Sequence, residues 1–108
     1  MEEEEEDGFN LPSVSYETLK LYRDYLKRKL TFPFEAVLDR ETGSPKAAAS
    51  QIKLVSLDDD ADEFYGLLCE GKEGRRNVVV PLAELIVGET EPNFVLIRDY
   101  LAWFWNYR

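Results

Sequence analysis

The chain has no histidine, one cysteine and one methionine. Without histidine no Ser–His or Cys–His nucleophile pair can be assembled. Zinc and other transition-metal sites would have to rest on carboxylates and the lone Cys69, a poor match to what those metals prefer. A single cysteine also forbids an internal disulfide, so a reducing, cytoplasmic setting is the expectation. No apolar run approaches the roughly 20 residues of a membrane span. The acidic start, with no apolar segment behind a basic one, does not read as a secretory signal. No glycine-rich phosphate loop follows a strand and opens a helix. No apolar pocket is evident that would raise a carboxylate into acid–base use. These absences together argue against an enzyme.

Excess positive charge is missing too. The net charge is −9. Taking away the six negative charges of residues 2–7 leaves −3 for the remainder, which is only mildly acidic. Binding to nucleic acid through the phosphate backbone is disfavoured either way. Residues 1–12 read as an acidic disordered tail, because a block of like charge buries nothing. Residues 13–108 then form a single domain, large enough for a modest core.

What the sequence does have is residues 58–63, Asp-Asp-Asp-Ala-Asp-Glu, with five carboxylates in six positions. At about 5 Å and an effective dielectric near 20, each like-charged pair costs on the order of 3 kcal/mol. Solvation can hold such a group if the loop is open. A hard cation such as Ca²⁺ can also hold it, since it takes six to eight oxygen ligands. Strand-like segments at 51–57 and 64–70 pin the stretch at both ends. It is not an EF-hand. Asp58, Asp60 and Asp62 have the one-three-five spacing, but Glu63 stands where the turn glycine belongs and Cys69 where the bidentate glutamate belongs.

The chain in order gives a helix, short strands and a second helix. Ser13 or Ser15 can cap a helix running to about Lys29. In it Tyr16, Leu19, Tyr22, Leu26 and Leu30 share one stripe. Glu17 near the start and Lys27, Arg28 and Lys29 near the end suit the helix dipole. Pro33 stops the helix, and Phe32, Phe34, Ala36 and Leu38 alternate onto one face of a strand. Glu35 and Asp39 fall on the other face, where they can complete a cation site if the acidic stretch folds beside them. Turn chemistry covers 41–46. Strands are expected at 51–57, with Ile52 and Leu54 on one face and Val55 and Leu57 on the other, then at 64–70, 76–80 and 85–87. A hairpin turn is expected at 70–74 and a short 3₁₀ turn at 82–84. Thr90 can cap the last helix, whose stripe is Phe94, Ile97, Tyr100, Leu101 and Phe104. The aromatics there suit core packing better than base stacking. The expected fold class is α+β: a small SH3-like β-barrel of four to five short antiparallel strands, flanked by an N-terminal and a C-terminal helix.

Two stretches carry a resemblance. The helix segment 22–26 leading into Leu-Thr-Phe-Pro-Phe-Glu-Ala at 30–36, and Val-Pro-Leu-Ala-Glu-Leu at 80–85, resemble the small cyanobacterial calcium-binding proteins of the type linked to heterocyst differentiation. The acidic turn at 58–63 and the aromatic C-terminal helix at 100–107 are similar as well. The resemblance covers roughly 15–107. It implies a non-enzymatic Ca²⁺-binding protein that acts as a calcium buffer or regulator. The oxygen ligands expected here are Asp58, Asp60, Asp62 and Glu63, with Asp59, Glu35 and Asp39 as further candidates. Calcium is then the cofactor and partner, with no nucleic acid and no membrane involved. The other reading is a protein–protein interaction module, an SH3-like barrel with no metal dependence that holds an extended peptide of an unnamed partner.

Overall fold

The computed structural model describes residues 11–39 and 49–108. The acidic residues 2–7 and the turn at 41–46 lie outside the described residues.

Helix α1 spans Tyr16–Lys29. Ser15 caps it reciprocally with Thr18: the Thr18 N–H donates to Ser15 Oγ at 3.2 Å, and the Ser15 N–H donates to Thr18 Oγ1 at 2.8 Å. Two of the orphan donors at the helix start are thereby satisfied. Leu19 and Leu26 are its fully buried residues.

Five strands follow: β1 (Phe34–Asp39), β2 (Ala49–Asp62), β3 (Gly66–Glu73), β4 (Arg76–Pro81) and β5 (Leu85–Ile86). They form one antiparallel sheet in the order β4-β3-β2-β1-β5. The outermost strands, β4 and β5, are joined only by a three-residue 3₁₀ turn, Leu82–Glu84. Such a turn spans roughly 6 Å, whereas the outer strands of a flat five-stranded sheet would stand about 19 Å apart. The sheet must therefore curl until its edges approach, which is the SH3-like arrangement. Leu82 of this turn is fully buried and belongs to the core. β5 pairs with β1 alone, so the seam is not hydrogen-bonded and the barrel is not closed.

Helix α2 spans Phe94–Asn106 and buries Ile97, Tyr100, Trp103 and Phe104. Its far end also holds the entry to α1. Trp103 Nε1 donates to the Pro12 carbonyl at 2.8 Å, and the Val14 N–H donates to the Tyr107 carbonyl at 2.7 Å.

Three local expectations change. The N-cap of α2 is Asn93, not Thr90. The β3–β4 hairpin turns at Gly74 and Arg75, and β3 begins at Gly66 rather than at 64. Leu57 is buried with Ile52 and Leu54, while Val55 is exposed. The reason is a bulge: Leu54 lies opposite Gly71 but Ser56 opposite Glu70, so Val55 is an extra residue and the alternation resets after it.

Candidate metal site

The acidic stretch is not a loop between strands. β2 runs through it to Asp62. Leu57 pairs with Cys69 and Ala61 with Leu67, so three residues of β2 face one residue of β3. Asp58, Asp59 and Asp60 form this second bulge, which throws consecutive carboxylates out of the ladder while both flanks stay paired.

Local hydrogen bonds fix the backbone. Asp58 Oδ1 accepts the Asp60 N–H at 3.1 Å. Asp62 Oδ1 accepts the N–H groups of Phe64 and Tyr65 at 2.7 and 2.9 Å. These are turns built by an aspartate side chain, and each uses one carboxylate oxygen. Asp60 and Glu63 are exposed and make no side-chain bond among the described residues.

Asp59 has a partner from another element. Lys27 Nζ of α1 donates to Asp59 Oδ1 at 2.7 Å. That hydrogen bond, with the Lys27 charge behind it, holds the Asp59 carboxyl below its ordinary range. A lowered carboxyl pKa contributes stability above the carboxylate range and loses it as pH falls through that range. Asp59 is open to solvent, so the contribution is small and salt-screened.

The turn beyond the bulge is anchored to α2. Gly66 adopts φ +82°, and a Cβ there would run into Tyr100 Oη. Tyr100 Oη in turn accepts the Leu67 N–H at 2.9 Å. Burial pushes the Tyr100 hydroxyl well above its usual range, so it stays protonated. Arg108 lies over three rings, with its guanidinium carbon 4.5 Å from Phe104, 5.5 Å from Trp105 and 5.6 Å from Phe64. The acidic bulge thus sits on a frame made by β2, β3 and α2.

Two candidates lie elsewhere. Glu35 stands opposite Lys53 and accepts from Gln51 Nε2 at 2.6 Å. Lys53 precedes the bulge by five positions on β2, roughly 17 Å of strand. Asp39 ends β1 opposite Ala49, farther still from the bulge. The structure brings neither residue to the acidic stretch.

The donor set is chemically one-sided. Cys69 is buried, and burial pushes its thiol up to about 12, so it stays a thiol at neutral pH and offers no thiolate to a soft metal. What remains is carboxylate and backbone oxygen, the ligand type of Ca²⁺. Among the described residues no three carboxylate or thiol side chains converge as a ready cage. The carboxylates share one bulge and turn, and an ion would have to draw them together.

Fold and site define a small α+β domain that carries its acidic residues on a strand bulge, outside any helix–loop–helix frame. The chain matches the Calci_bind_CcbP family, described as calcium binding, over residues 15–104, and belongs to that family. No curated protein and no solved structure matches it. No described helix is long and apolar enough to cross a membrane.

Proposed function

We propose that this protein binds Ca²⁺ at the β2 bulge and its adjoining turn, without catalysis, as a calcium buffer or regulator. Asp58, Asp60, Asp62 and Glu63 supply the oxygen ligands, and Asp59 adds a fifth carboxylate. Glu35 and Asp39 stand outside this set. The observation that supports the reading most is the bulge itself: it concentrates like charge on backbone that folding already holds on both sides. Water completes the ion's coordination, because six to eight oxygens are needed. The bound ion supplies charge neutralisation and tightens the 58–63 segment. Affinity is low to moderate, since the side chains must rotate inward on binding.

A calorimetric titration of Ca²⁺ against Mg²⁺, with amide NMR, tests this. Ca²⁺ is expected to bind more tightly, because Mg²⁺ demands octahedral geometry and gives up water reluctantly. Ca²⁺ is expected to move the amide signals of residues 58–63. Millimolar Ca²⁺ that leaves those signals in place would refute the assignment.

A second reading has one observation in its favour. An apolar groove of about 420 Å³, lined by Leu11, Pro12, Leu21, Tyr22, Tyr25 and Trp103, runs between α1 and α2. A protein partner seated there would bind equally well with chelator present, which separates the two readings.

A further inference from the structure

The Lys27–Asp59 contact joins residues 32 positions apart on different elements, and it has one clear consequence for the site. We propose that Lys27 is a built-in competitor of Ca²⁺: its ammonium occupies the cation position on Asp59, and the metal enters the bulge by displacing it. This deepens the calcium reading above and rests on it.

The last turn of α1 offers three cations, Lys27, Arg28 and Lys29. Only Lys27 reaches the bulge; Lys29 Nζ instead lies 6.0 Å over the Tyr25 ring. The Lys27 side chain is 42% exposed and that of Asp59 87% exposed, so the contact can open to solvent without disturbing the core. Leu26, the neighbour that anchors this turn of α1, is fully buried and stays seated when Lys27 lets go.

The chemistry favours exchange. An ammonium brings one positive charge and donates hydrogen bonds to a few oxygens. Ca²⁺ brings two charges and gathers six to eight. Asp60 and Glu63, which make no side-chain bond among the described residues, are free to engage the metal, whereas the ammonium bonds Asp59. The two cations repel across the short distance that Asp59 spans, which disfavours their sharing it. Loading the bulge therefore releases the side chain of Lys27, and the end of α1 reports the state of the site. Without Ca²⁺, Lys27 partly neutralises the bulge and limits its self-repulsion.

The test compares the full chain with Lys27→Gln, Lys27→Arg and Lys29→Gln by Ca²⁺ calorimetry and NMR. Lys27→Gln and Lys29→Gln remove the same charge from the same helical turn, but only the first removes the contact. Lys27→Gln is expected to bind Ca²⁺ roughly two- to fivefold more tightly than both the wild type and Lys29→Gln, the span an exposed ion pair supports. Lys27→Arg is expected to stay near wild type, and the Lys27 side-chain signals of the wild type are expected to shift with Ca²⁺. Suppose Ca²⁺ moves residues 58–63, yet Lys27→Gln behaves like Lys29→Gln or binds more weakly than wild type. The competitor is then refuted and the calcium site stands. If Ca²⁺ moves no signal in 58–63 in any of these chains, the site itself is wrong and the competitor falls with it.

Discussion

Gly66→Ala is expected to destabilise the domain by about 3 kcal/mol or more. Left-handed backbone at a residue with a Cβ costs roughly 1–2 kcal/mol, and overpacking a core adds about 1–3 kcal/mol. Both apply at Gly66. Its φ is +82°, and the new Cβ would run into Tyr100 Oη and meet a Phe104 ring carbon at 2.7 Å. Both rings are fully buried and cannot swing away. A domain of this size loses about 4–8 °C in Tm per kcal/mol, so a fall of 12 °C or more follows on the order of that scale. Gly74 is the control. Its φ is +65° with nothing within 4 Å of a new Cβ, so Gly74→Ala carries the backbone strain without the clash. Equal Tm losses for the two variants would contradict the packing described around Tyr100.

The second large effect is at Asn93, the one buried polar side chain among the described residues. Its amide imitates a strand. Oδ1 accepts the Thr31 N–H at 2.9 Å and Nδ2 donates to the Thr31 carbonyl at 2.9 Å. This clamp joins the start of α2 to the segment between α1 and β1. Each buried partner left unsatisfied costs about 1–3 kcal/mol. Thr31 is itself exposed, and water recovers part of the loss, so Asn93→Ala is expected to cost about 2–3 kcal/mol. Asn93→Asp preserves the shape but is expected to do no better at neutral pH. It removes the donor to Thr31 and sets a carboxylate where Nδ2 now lies 3.1 Å from Glu91 Oε2. Burial and the Glu91 charge raise the new carboxyl's folded pKa. A raised acid pKa makes the penalty shrink as pH falls, because the protonated form is favoured in the fold. Urea unfolding of both variants at pH 7 and pH 5, each relative to wild type, checks the sign. A penalty for Asn93→Asp that grows as pH falls would contradict the clamp.

The fold was legible where periodicity and capping were strong. Ser15 and the basic turn at 27–29 mark α1, and Phe34, Ala36 and Leu38 alternate inward as the pattern requires. Pro81 and the 3₁₀ turn at Leu82–Glu84 point to the SH3-like corner. Strand bulges account for most of what the sequence does not show. Bulges have no local sequence signature, since they depend on what the partner strand presents. Alternation at 51–57 therefore puts Leu57 on the wrong face, and five carboxylates in six positions look like a loop although β2 continues through them. Thr90 and Asn93 both favour a helix start, and Asn93 takes the N-cap position without a side-chain cap bond, its amide being engaged by Thr31 and Glu91. Glu35 and Asp39 share a strand face with each other, but their register opposite Lys53 and Ala49 does not set them beside the bulge. In the sequence Lys27 shows only its fit to the helix dipole. Its bond to Asp59 is a tertiary contact that no spacing rule reveals.

In the proposed calcium reading, the strongest Ca²⁺ site is the β2 bulge rather than the acidic residues 2–7. Both carry carboxylates, so total Ca²⁺ uptake cannot tell them apart. The bulge is paired on both flanks, at Leu57 with Cys69 and at Ala61 with Leu67. Ordering a free backbone costs roughly 1–2 kcal/mol per residue, a cost that folding has already met at the bulge. The decisive measurement is Ca²⁺ calorimetry on two variants side by side: deletion of residues 2–7, and Asp60→Asn combined with Asp62→Asn. Asparagine keeps an Oδ1 to accept from Phe64 and Tyr65, so the turn holds in the double variant. The deletion is expected to leave the tightest site unchanged. The double variant is expected to weaken it on the order of tenfold or more while staying folded, since ligand charge count tunes Ca²⁺ affinity. Loss of the site on deletion, with full affinity in the double variant, would contradict the account.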